Sequence, residues 1–179
     1  MKISIEKVTT NDIQKLQEIG RSTFYEAFAD VNTEDDMKDY LEKSFSEKKL
    51  KTELNNKDSQ FYFARVDGSV VAYLKINFGQ AQNEKIDNAI EIERIYVLKA
   101  FHGKKVAQAL YQKAIDIAYE QQAACIWLGV WEENHRALRF YDKNGFKAFG
   151  KHAFWLGNDK QTDLLMKKEL AHTNELKTL

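Results

Sequence analysis

The sequence is short of several residue types: it has no proline, one cysteine among its 179 residues and a formal net charge of zero. Because Cys125 is the only cysteine, an internal disulfide is excluded and a cytoplasmic location is favoured. In its apolar run the thiol is expected to be structural, not nucleophilic. The balanced charge gives no general attraction to nucleic acid or to an anionic membrane, so neither is an expected partner. No apolar run approaches the roughly 18 residues of a membrane helix, and the N-terminus lacks the apolar core of a signal peptide.

The residues that are present indicate a single globular domain. Apolar residues make up 44% and charged residues 30% of the sequence, a balance typical of a packed protein and not of a disordered one. Neither an internal repeat nor a low-complexity linker divides the chain. We therefore expect one domain over residues 1–170 and a frayed tail at residues 171–179.

Apolar residues at helical spacing and polar capping residues predict five helices. Three follow the first strand, and their caps are expected at residues 10–12, at Thr33 and at Ser46. A fourth helix is expected to end near Gln121, and Asn134 is expected to cap the fifth.

Alternating and β-branched segments predict seven strands between these helices. Asp67-Gly68 predicts a tight hairpin, and Gly157-Asn158-Asp159 predicts the turn of a final hairpin. The resulting order, β-α-α-α-β-β-β-α-β-α-β-β, indicates a mixed sheet with helices packed on it. The predicted strands are residues 2–8, 60–66, 70–78, the opening residues of the stretch 91–111, 125–131, 146–156 and 162–169.

The stretch from Glu91 to Tyr111 draws attention because a strand passes into a helix through a turn that contains glycine. Such a junction presents free backbone N–H groups. Lys104 and Lys105 are expected in the first helical turn, where their charge opposes the helix dipole. A bound anion such as a phosphate would explain them, whereas two solvated surface lysines would cost only about a few tenths of a kcal/mol. The spacing alone leaves both interpretations open.

A second stretch, residues 134–146, reads N-H-R-A-L-R-F-Y-D-K-N-G-F. It resembles the N-x-x-A-x-x-F-Y-x-x-x-G-F motif of the GNAT family of N-acetyltransferases, and the order of elements is similar over almost the entire chain. This resemblance implies a single-domain α/β fold of the α+β type, with a mixed, mostly antiparallel sheet of about seven strands flanked by helices. The matching positions are Asn134, Ala137, Phe140, Tyr141, Gly145 and Phe146.

The earlier junction resembles the family's pyrophosphate motif, Gln/Arg-x-x-Gly-x-Gly/Ala. His102 stands where the family has Gln or Arg, and Lys105 stands where it has the first glycine. The resemblance implies that backbone amides of this segment bind the pyrophosphate of coenzyme A. The matched residues are His102, Gly103, Lys104, Lys105, Val106 and Ala107.

Further binding roles are implied by the same resemblance. Acetyl-CoA is the implied co-substrate, and Asn134 and Tyr141 are the residues expected near its pantetheine arm and its sulfur. The end of the preceding strand, Ile95, Tyr96 and Val97, is also expected to bind it, with a backbone N–H near Val97 receiving the thioester oxyanion. No metal is expected, because the sequence has no Cys/His cluster with ligand spacing.

Tyr141 has the chemistry that the implied reaction needs. A phenol with a reference pKa of about 10 can protonate a thiolate whose conjugate acid is near 8.5. Without the motif, Tyr141 would be interpreted as a core aromatic on an amphipathic helix. Asn134 is a helix cap under either interpretation.

Glu91 and Glu93 are the carboxylates that draw attention as candidate bases. Strand alternation places them on the same side as Ile95 and Val97. Carboxylates within a central strand need a hydrogen-bond or ionic partner, contact with solvent or a functional role. These two could accept the amine's proton through water or attract a cationic acceptor. The alternatives are a solvated strand end, or a salt bridge to Arg94 or to a neighbouring strand.

A second acidic group lies at the start of a predicted helix, where acidic residues complement the dipole and need no ligand. Its members are Glu34, Asp35, Asp36 and Asp39. A polyamine would be attracted to them only if they lined a cleft.

The sequence therefore predicts an acetyl-CoA-dependent N-acetyltransferase that acts on the primary amine of a small molecule. The runs SQFYFA, IERIYV, IWLGVWEEN and QTDLLM resemble bacterial spermidine/spermine N-acetyltransferases of the PaiA type, so a polyamine is the first choice of acceptor. Because no nucleophile is credible, direct attack in a ternary complex is expected. The alternatives are another acceptor, such as an antibiotic, an amino acid or a protein N-terminus, or a non-catalytic CoA-binding module. A homodimer is left open, since isologous dimers are the commonest soluble oligomers.

Overall fold

The computed structural model describes residues 1–157 and 159–171 and confirms the predicted order of elements. Asn158 of the predicted final turn and most of the predicted tail lie outside the described residues. The helices are α1 (Ile13–Phe28), α2 (Glu34–Ser44), α3 (Glu47–Asn55), α4 (Val106–Glu120) and α5 (His135–Lys143). The strands are β1 (Ile3–Lys7), β2 (Ser59–Val66), β3 (Ser69–Asn77), β4 (Ala89–Val97), β5 (Cys125–Trp131), β6 (Lys147–Leu156) and β7 (Asp159–Glu169).

The strands form one seven-stranded sheet in the order β1-β2-β3-β4-β5-β7-β6. Within the described ranges, only β4 and β5 pair in parallel, and α4 connects them. All other neighbours are antiparallel, so the predicted mixed and mostly antiparallel sheet is confirmed.

Two of the three predicted caps of the N-terminal helices are confirmed. Thr33 Oγ1 accepts from the backbone N–H of Asp36 at 3.2 Å, and Ser46 Oγ caps α3 in the same way. At the first helix, Asp12 of the predicted range is the N-cap residue of α1, but its side chain makes no capping hydrogen bond to that helix. The side-chain cap lies earlier, where Thr9 forms a capping box with Asp12 around the short turn that precedes α1. A side-chain oxygen can satisfy amides two or three residues ahead, and this cap therefore closes the turn, not the α-helix itself.

The sheet separates two apolar layers. On one face α4 contributes Leu110 and Ala114 to a cluster with Ile90 and Ile126. On the other face α1–α3 cover Phe61, Phe63 and Tyr73. Burial of each large side chain stabilises the fold by about 1.5–3 kcal/mol. No helix in the described part of the chain is both long and apolar enough to cross a membrane.

β4 departs from regular geometry in two places, and both departures shape the site. Its pairing with β3 shifts register after Lys75, so that Glu93 has no partner residue and forms a bulge. Its parallel pairing with β5 covers only Ala89–Glu91 against Cys125–Trp127. Beyond Glu91 the two strands part, and a wedge-shaped opening forms in the middle of the sheet.

Candidate active site

A cavity of about 450 Å³ occupies the opening between β4 and β5. Aromatic side chains from α1, α2, β4 and β5 form one part of its wall: Phe24, Phe28, Tyr40, Tyr96 and Trp131. Polar groups form another part, which includes two cations as well as carboxylates: Ser44, Lys49, Asn83, Glu91, Glu93, Arg94, Asn134, His152, Gln161 and Asp163. The cavity thus combines an apolar wall with carboxylates, an arrangement that suits an organic cation.

The cavity brings together six of the residues predicted from the two motifs and from β4. They are Glu91, Glu93, Ile95, Tyr96, Asn134 and Tyr141. Val97 and the segment 102–107 do not line it. The predicted site is therefore divided between this cavity and the start of α4.

Tyr141 lies on the inner face of α5, and only 5% of its surface is exposed. The rings of Phe140 and Phe146 pack edge-on against it at centroid distances of 5.3 and 5.4 Å. Burial raises the pKa of Tyr141, so the phenol stays protonated well above neutral pH. Among the residues that the structure describes, none hydrogen-bonds to its hydroxyl, which is left to interact with a ligand in the cavity.

Asn134 caps α5 as predicted: its Oδ1 accepts from the backbone N–H of Ala137 at 3.1 Å. Its side chain also lines the cavity. The cap uses the oxygen only, so the amide N–H groups of Asn134 are still able to donate to a ligand.

Glu91 and Glu93 share a face of the sheet, but it is not the face of Ile95 and Val97. Asn77 Nδ2 donates to Glu91 at 3.0 Å and to Glu93 at 2.5 Å, whereas Ile95 and Val97 pack on the α4 side. The predicted common face is wrong, because the bulge at Glu93 adds one residue and inverts the alternation that follows.

Glu93 is held in a network of charges, which was one of the alternatives to a catalytic role. Lys75 Nζ lies 2.6 Å from its carboxylate and Arg94 Nη2 lies 3.2 Å away, and Glu53 of α3 contacts both cations. Burial alone would raise the pKa of Glu93, but Arg94, Lys75 and the hydrogen bonds together hold the pKa below its usual range. Such a carboxylate is a poor proton acceptor.

Glu91 lacks a cationic partner within the described residues. Its carboxylate accepts from Asn77, from the backbone N–H of Asn83 at 2.9 Å and from Asn83 Nδ2 at 2.7 Å. Burial raises the pKa of Glu91, and these hydrogen bonds offset only part of the effect. Glu91, which lies at the apex of the opening, therefore binds a proton more readily than an ordinary glutamate does.

The start of α4 differs from the prediction in one respect. The helix begins at Val106, so Lys104 and Lys105 precede its first turn instead of lying within it. Lys105 is the N-cap residue and has a left-handed backbone with φ of 63°. A glycine adopts this conformation without strain, and the family's glycine at this position was the signal that could have predicted it.

The α4 terminus has no side-chain cap and no acidic residue in its first turn. The first helical hydrogen bond runs from Ala109 N–H to the Lys105 carbonyl. The backbone N–H groups of residues 105–108 therefore have no acceptor among the described residues, and together with the positive end of the helix dipole they favour an anion at this terminus.

His102 connects this terminus to β4 and α5. Its Nε2 lies 2.8 Å from the Val97 carbonyl oxygen, and its Nδ1 contacts Arg136 of α5. Leu98 N–H donates to Val71 on β3. Because neighbouring strand residues direct their amides to opposite edges, the Val97 N–H faces the opening.

The acidic residues at the start of α2 do not line the cavity. Asp36 accepts from the Thr33 hydroxyl at 2.9 Å, which is ordinary capping geometry. No group of three or more His, Cys, Asp or Glu side chains in the described residues could hold a metal ion.

The sequence interpretation missed several cavity residues, notably Asp163, His152 and Arg94. Asp163 and His152 come from the final hairpin, where they are register partners. A carboxylate inside a predicted strand was the available signal for Asp163, the same signal that identified Glu91.

The chain is similar to known acetyltransferases over most of its length. An uncharacterized N-acetyltransferase of Lactobacillus delbrueckii subsp. lactis is 41% identical over 169 residues, which cover 94% of this chain and 98% of that relative. A spermidine N(1)-acetyltransferase of Thermoplasma acidophilum is 26% identical over 152 residues, with coverages of 83% and 90%.

Comparison of structures agrees with the sequence relationships. The PaiA N-acetyltransferase of Thermoplasma acidophilum, solved in complex with coenzyme A, has a TM-score of 0.78 at 24% identity, with coverages of 95% and 100%. Residues 21–146 match the Acetyltransferase (GNAT) family. This match confirms the predicted family and enzyme class: the chain belongs to the GNAT family and is an acyltransferase.

Proposed function

We propose that the protein transfers the acetyl group of acetyl-CoA to the primary amine of a small molecule, with a polyamine such as spermidine as the first choice. The observation that carries this proposal is the opening between β4 and β5, whose cavity is lined by Tyr141, Asn134 and two carboxylates without a Lys or Arg partner among the described residues, Glu91 and Asp163. Transfer takes place in a ternary complex by direct attack of the amine.

The start of α4 would hold the pyrophosphate of the co-substrate. The four unpaired amides of residues 105–108 and the positive end of the helix dipole favour an anion there. Lys104 and Lys105 add positive charge beside it. On the cavity side, the free amide N–H groups of Asn134 would hold the polar pantetheine arm.

Acetyl-CoA supplies the acetyl group activated as a thioester. The Val97 N–H would donate to the carbonyl oxygen as negative charge develops on it, which is the role of an oxyanion hole. Tyr141 would give its proton to the leaving sulfur. Burial keeps this phenol protonated at neutral pH, so the acid is available before each turnover.

The acceptor would enter from the aromatic side of the cavity. Phe28 and Trp131, with centroids 6.0 Å apart, and the ring of Tyr96 offer faces to a cation, and Glu91 and Asp163 offer negative charge. Arg94 also lines the cavity, but its charge is offset by Glu53 and Glu93. The spermidine acetyltransferase among the relatives supports a polyamine as the first acceptor to test.

Direct attack is preferred to an acyl-enzyme because no cysteine lines the cavity among the residues that the structure describes. Cys125 is buried with Ala89 and Trp127 outside the cavity lining, and burial raises the pKa of its thiol. A thiol held in its neutral form does not compete with an amine for the thioester.

The test is release of free CoA from acetyl-CoA across a panel of amines: spermidine, spermine, an aminoglycoside, amino acids and a peptide with a free N-terminus. Turnover of spermidine and spermine at a kcat/KM at least about tenfold above the amines that are not polyamines is expected, because Glu91 and Asp163 have no Lys or Arg partner among the described residues. If another amine is preferred, that amine is the acceptor in place of the polyamine, and the proposed acetyl transfer is unchanged. CoA binding without turnover of any amine would establish the non-catalytic module instead. A cytoplasmic location and a homodimer stay predictions.

A further inference from the structure

His152 lies between two carboxylates and contacts each with a different ring nitrogen. Its Nε2 is 3.5 Å from Asp163 Oδ2, and its Nδ1 is 3.4 Å from Glu84 Oε1. The side chains become more exposed along this series: 18% for Asp163, 31% for His152 and 46% for Glu84. The three groups therefore form a continuous path from the cavity to solvent.

The inner end of this path is open to the cavity. A Cβ on Gly129 would lie 3.5 Å from Asp163 Oδ2 and 3.7 Å from His152 Cε1. Because Gly129 has no side chain, the space next to these two groups is not filled by residue 129. Asp163 has no Lys or Arg partner in the described part of the chain. This distinguishes it from Glu93, whose carboxylate is engaged by Lys75 and Arg94.

Proton balance requires such a path when the acceptor arrives as an ammonium ion. The nitrogen loses two protons: one before it can attack and one after the new C–N bond forms as the C–S bond breaks. One proton is needed on the leaving sulfur, directly or by restoring Tyr141. One proton per turnover must therefore reach solvent.

The other carboxylates of the cavity are poorly placed for this task. Glu91 is 3% exposed and already accepts three hydrogen bonds, from Asn77 and Asn83. Glu93 is held by its cations. Another charged pair near the final hairpin, Lys151 with Glu132 at 3.6 Å, lies outside the cavity lining.

We propose that Asp163 accepts the proton of the acceptor ammonium, and that His152 passes a proton from Asp163 to Glu84 and solvent. His152 takes the proton on Nε2 and releases its other proton from Nδ1 to Glu84, which leaves the ring as the other neutral tautomer. Exchange of the ring protons with solvent then restores the starting tautomer. Contacts of 3.4–3.5 Å are long for hydrogen bonds, and catalytic contacts of this kind shorten when substrate binds. The proposal rests on the proposed amine acetylation.

The decisive test is the pH dependence of kcat/KM with spermidine and acetyl-CoA. Asp163→Asn should lower kcat/KM at pH 7 by about 10²-fold, the usual contribution of a general base. Its activity should then rise by about tenfold per pH unit towards the amine pKa near 10, because free amine no longer needs the base. The wild type should rise less steeply. His152→Gln should show the same profile and should be partly rescued by added imidazole, which can replace the missing ring.

Glu132→Gln is the matched control, because it removes a carboxylate that contacts β6 without belonging to the path. It should keep the wild-type profile, and CoA binding should be unchanged in every variant. A loss by Asp163→Asn that is equal at all pH values, or no loss, would overturn the relay. If the wild type itself acetylates no amine, the proposed function fails and the relay fails with it.

Discussion

Polar groups are paired with one another in one region of the site and are left without partners in another. In the paired region, Glu53, Lys75, Glu93 and Arg94 satisfy one another through contacts of 2.6–3.3 Å. In the open region, the amides of residues 105–108, the Asn134 amide N–H groups and the Tyr141 hydroxyl have no partners among the described residues. A folded chain pairs its buried polar groups unless they have another use. The paired region thus supports the fold, and the open region is available to ligands.

The largest effect should come from removing a group of the open region. Tyr141→Phe should lower kcat by about 10²-fold or more, because the general acid is lost. CoA affinity and the unfolding midpoint should stay near wild type, because the hydroxyl has no partner in the free protein. Tyr111→Phe is the control: its hydroxyl is 3.1 Å from Lys168 Nζ, away from the cavity, and kcat should not change. Full activity of Tyr141→Phe would remove the acid from the mechanism.

The next effect should come from breaking the paired region. Glu93→Gln should lower the free energy of unfolding at pH 7 by about 2 kcal/mol in urea titrations. This is below the value for a fully buried pair, because Glu93 is 18% exposed and Glu53 still contacts both cations. An unchanged stability would mean that these contacts do not hold α3 to the sheet.

The stability lost in Glu93→Gln should depend on pH, and the stability change in Glu91→Gln should depend on pH in the opposite direction. The pKa of Glu93 is lowered in the folded state, so its contribution is present above the unfolded value of about 4.3 and is lost as pH falls through the folded value. The destabilisation by Glu93→Gln should therefore shrink in acid. The pKa of Glu91 is raised, so its ionised form costs stability as pH rises. Glu91→Gln should be neutral or stabilising at pH 7 and should lose that advantage in acid.

A smaller effect is expected from reversing charge beside the α4 terminus. The double variant Lys104→Glu, Lys105→Glu should weaken CoA binding by about tenfold at low salt, and the difference should shrink as salt screens it. The double variant Lys38→Glu, Lys43→Glu makes the same change of charge on α2 and should bind CoA normally. If calorimetry gives the same CoA affinity for the two double variants, Lys104 and Lys105 do not contribute to CoA binding.

The smallest predicted effect concerns the left-handed backbone of Lys105. Lys105→Gly should raise the free energy of unfolding by about 1 kcal/mol, because glycine adopts this conformation without a Cβ penalty. Lys104→Gly removes the same charge at a position without positive φ and should be neutral or destabilising. If both variants behave alike, the left-handed conformation carries no strain.

Much of the fold followed from local sequence signals. Thr33, Ser46 and Asn134 were predicted as caps because a cap depends on amides only a few residues away. The hairpin at Asp67-Gly68 has both residues at positive φ, which this pair adopts readily. The motif residues Asn134 and Tyr141 both line the cavity, and their roles towards acetyl-CoA stay predictions.

The features that escaped prediction depend on contacts between distant segments. The bulge at Glu93 moved the two glutamates to the opposite face, and its position is set by the register against β3. The pairing of His152 with Asp163 depends on the register of the final hairpin. Neither register is encoded in the local pattern of β4 or β6 alone.

The proposed function depends most on binding of the co-substrate at the unpaired amides of the α4 terminus. A titration of CoA into ¹⁵N-labelled protein, followed by two-dimensional NMR, tests it directly by comparing this terminus with the capped terminus of α2. The largest shifts of backbone amides are expected at residues 105–108, with little change at residues 34–37. Largest shifts at α2 or in the paired region, or saturation with no change at residues 105–108, would contradict the account.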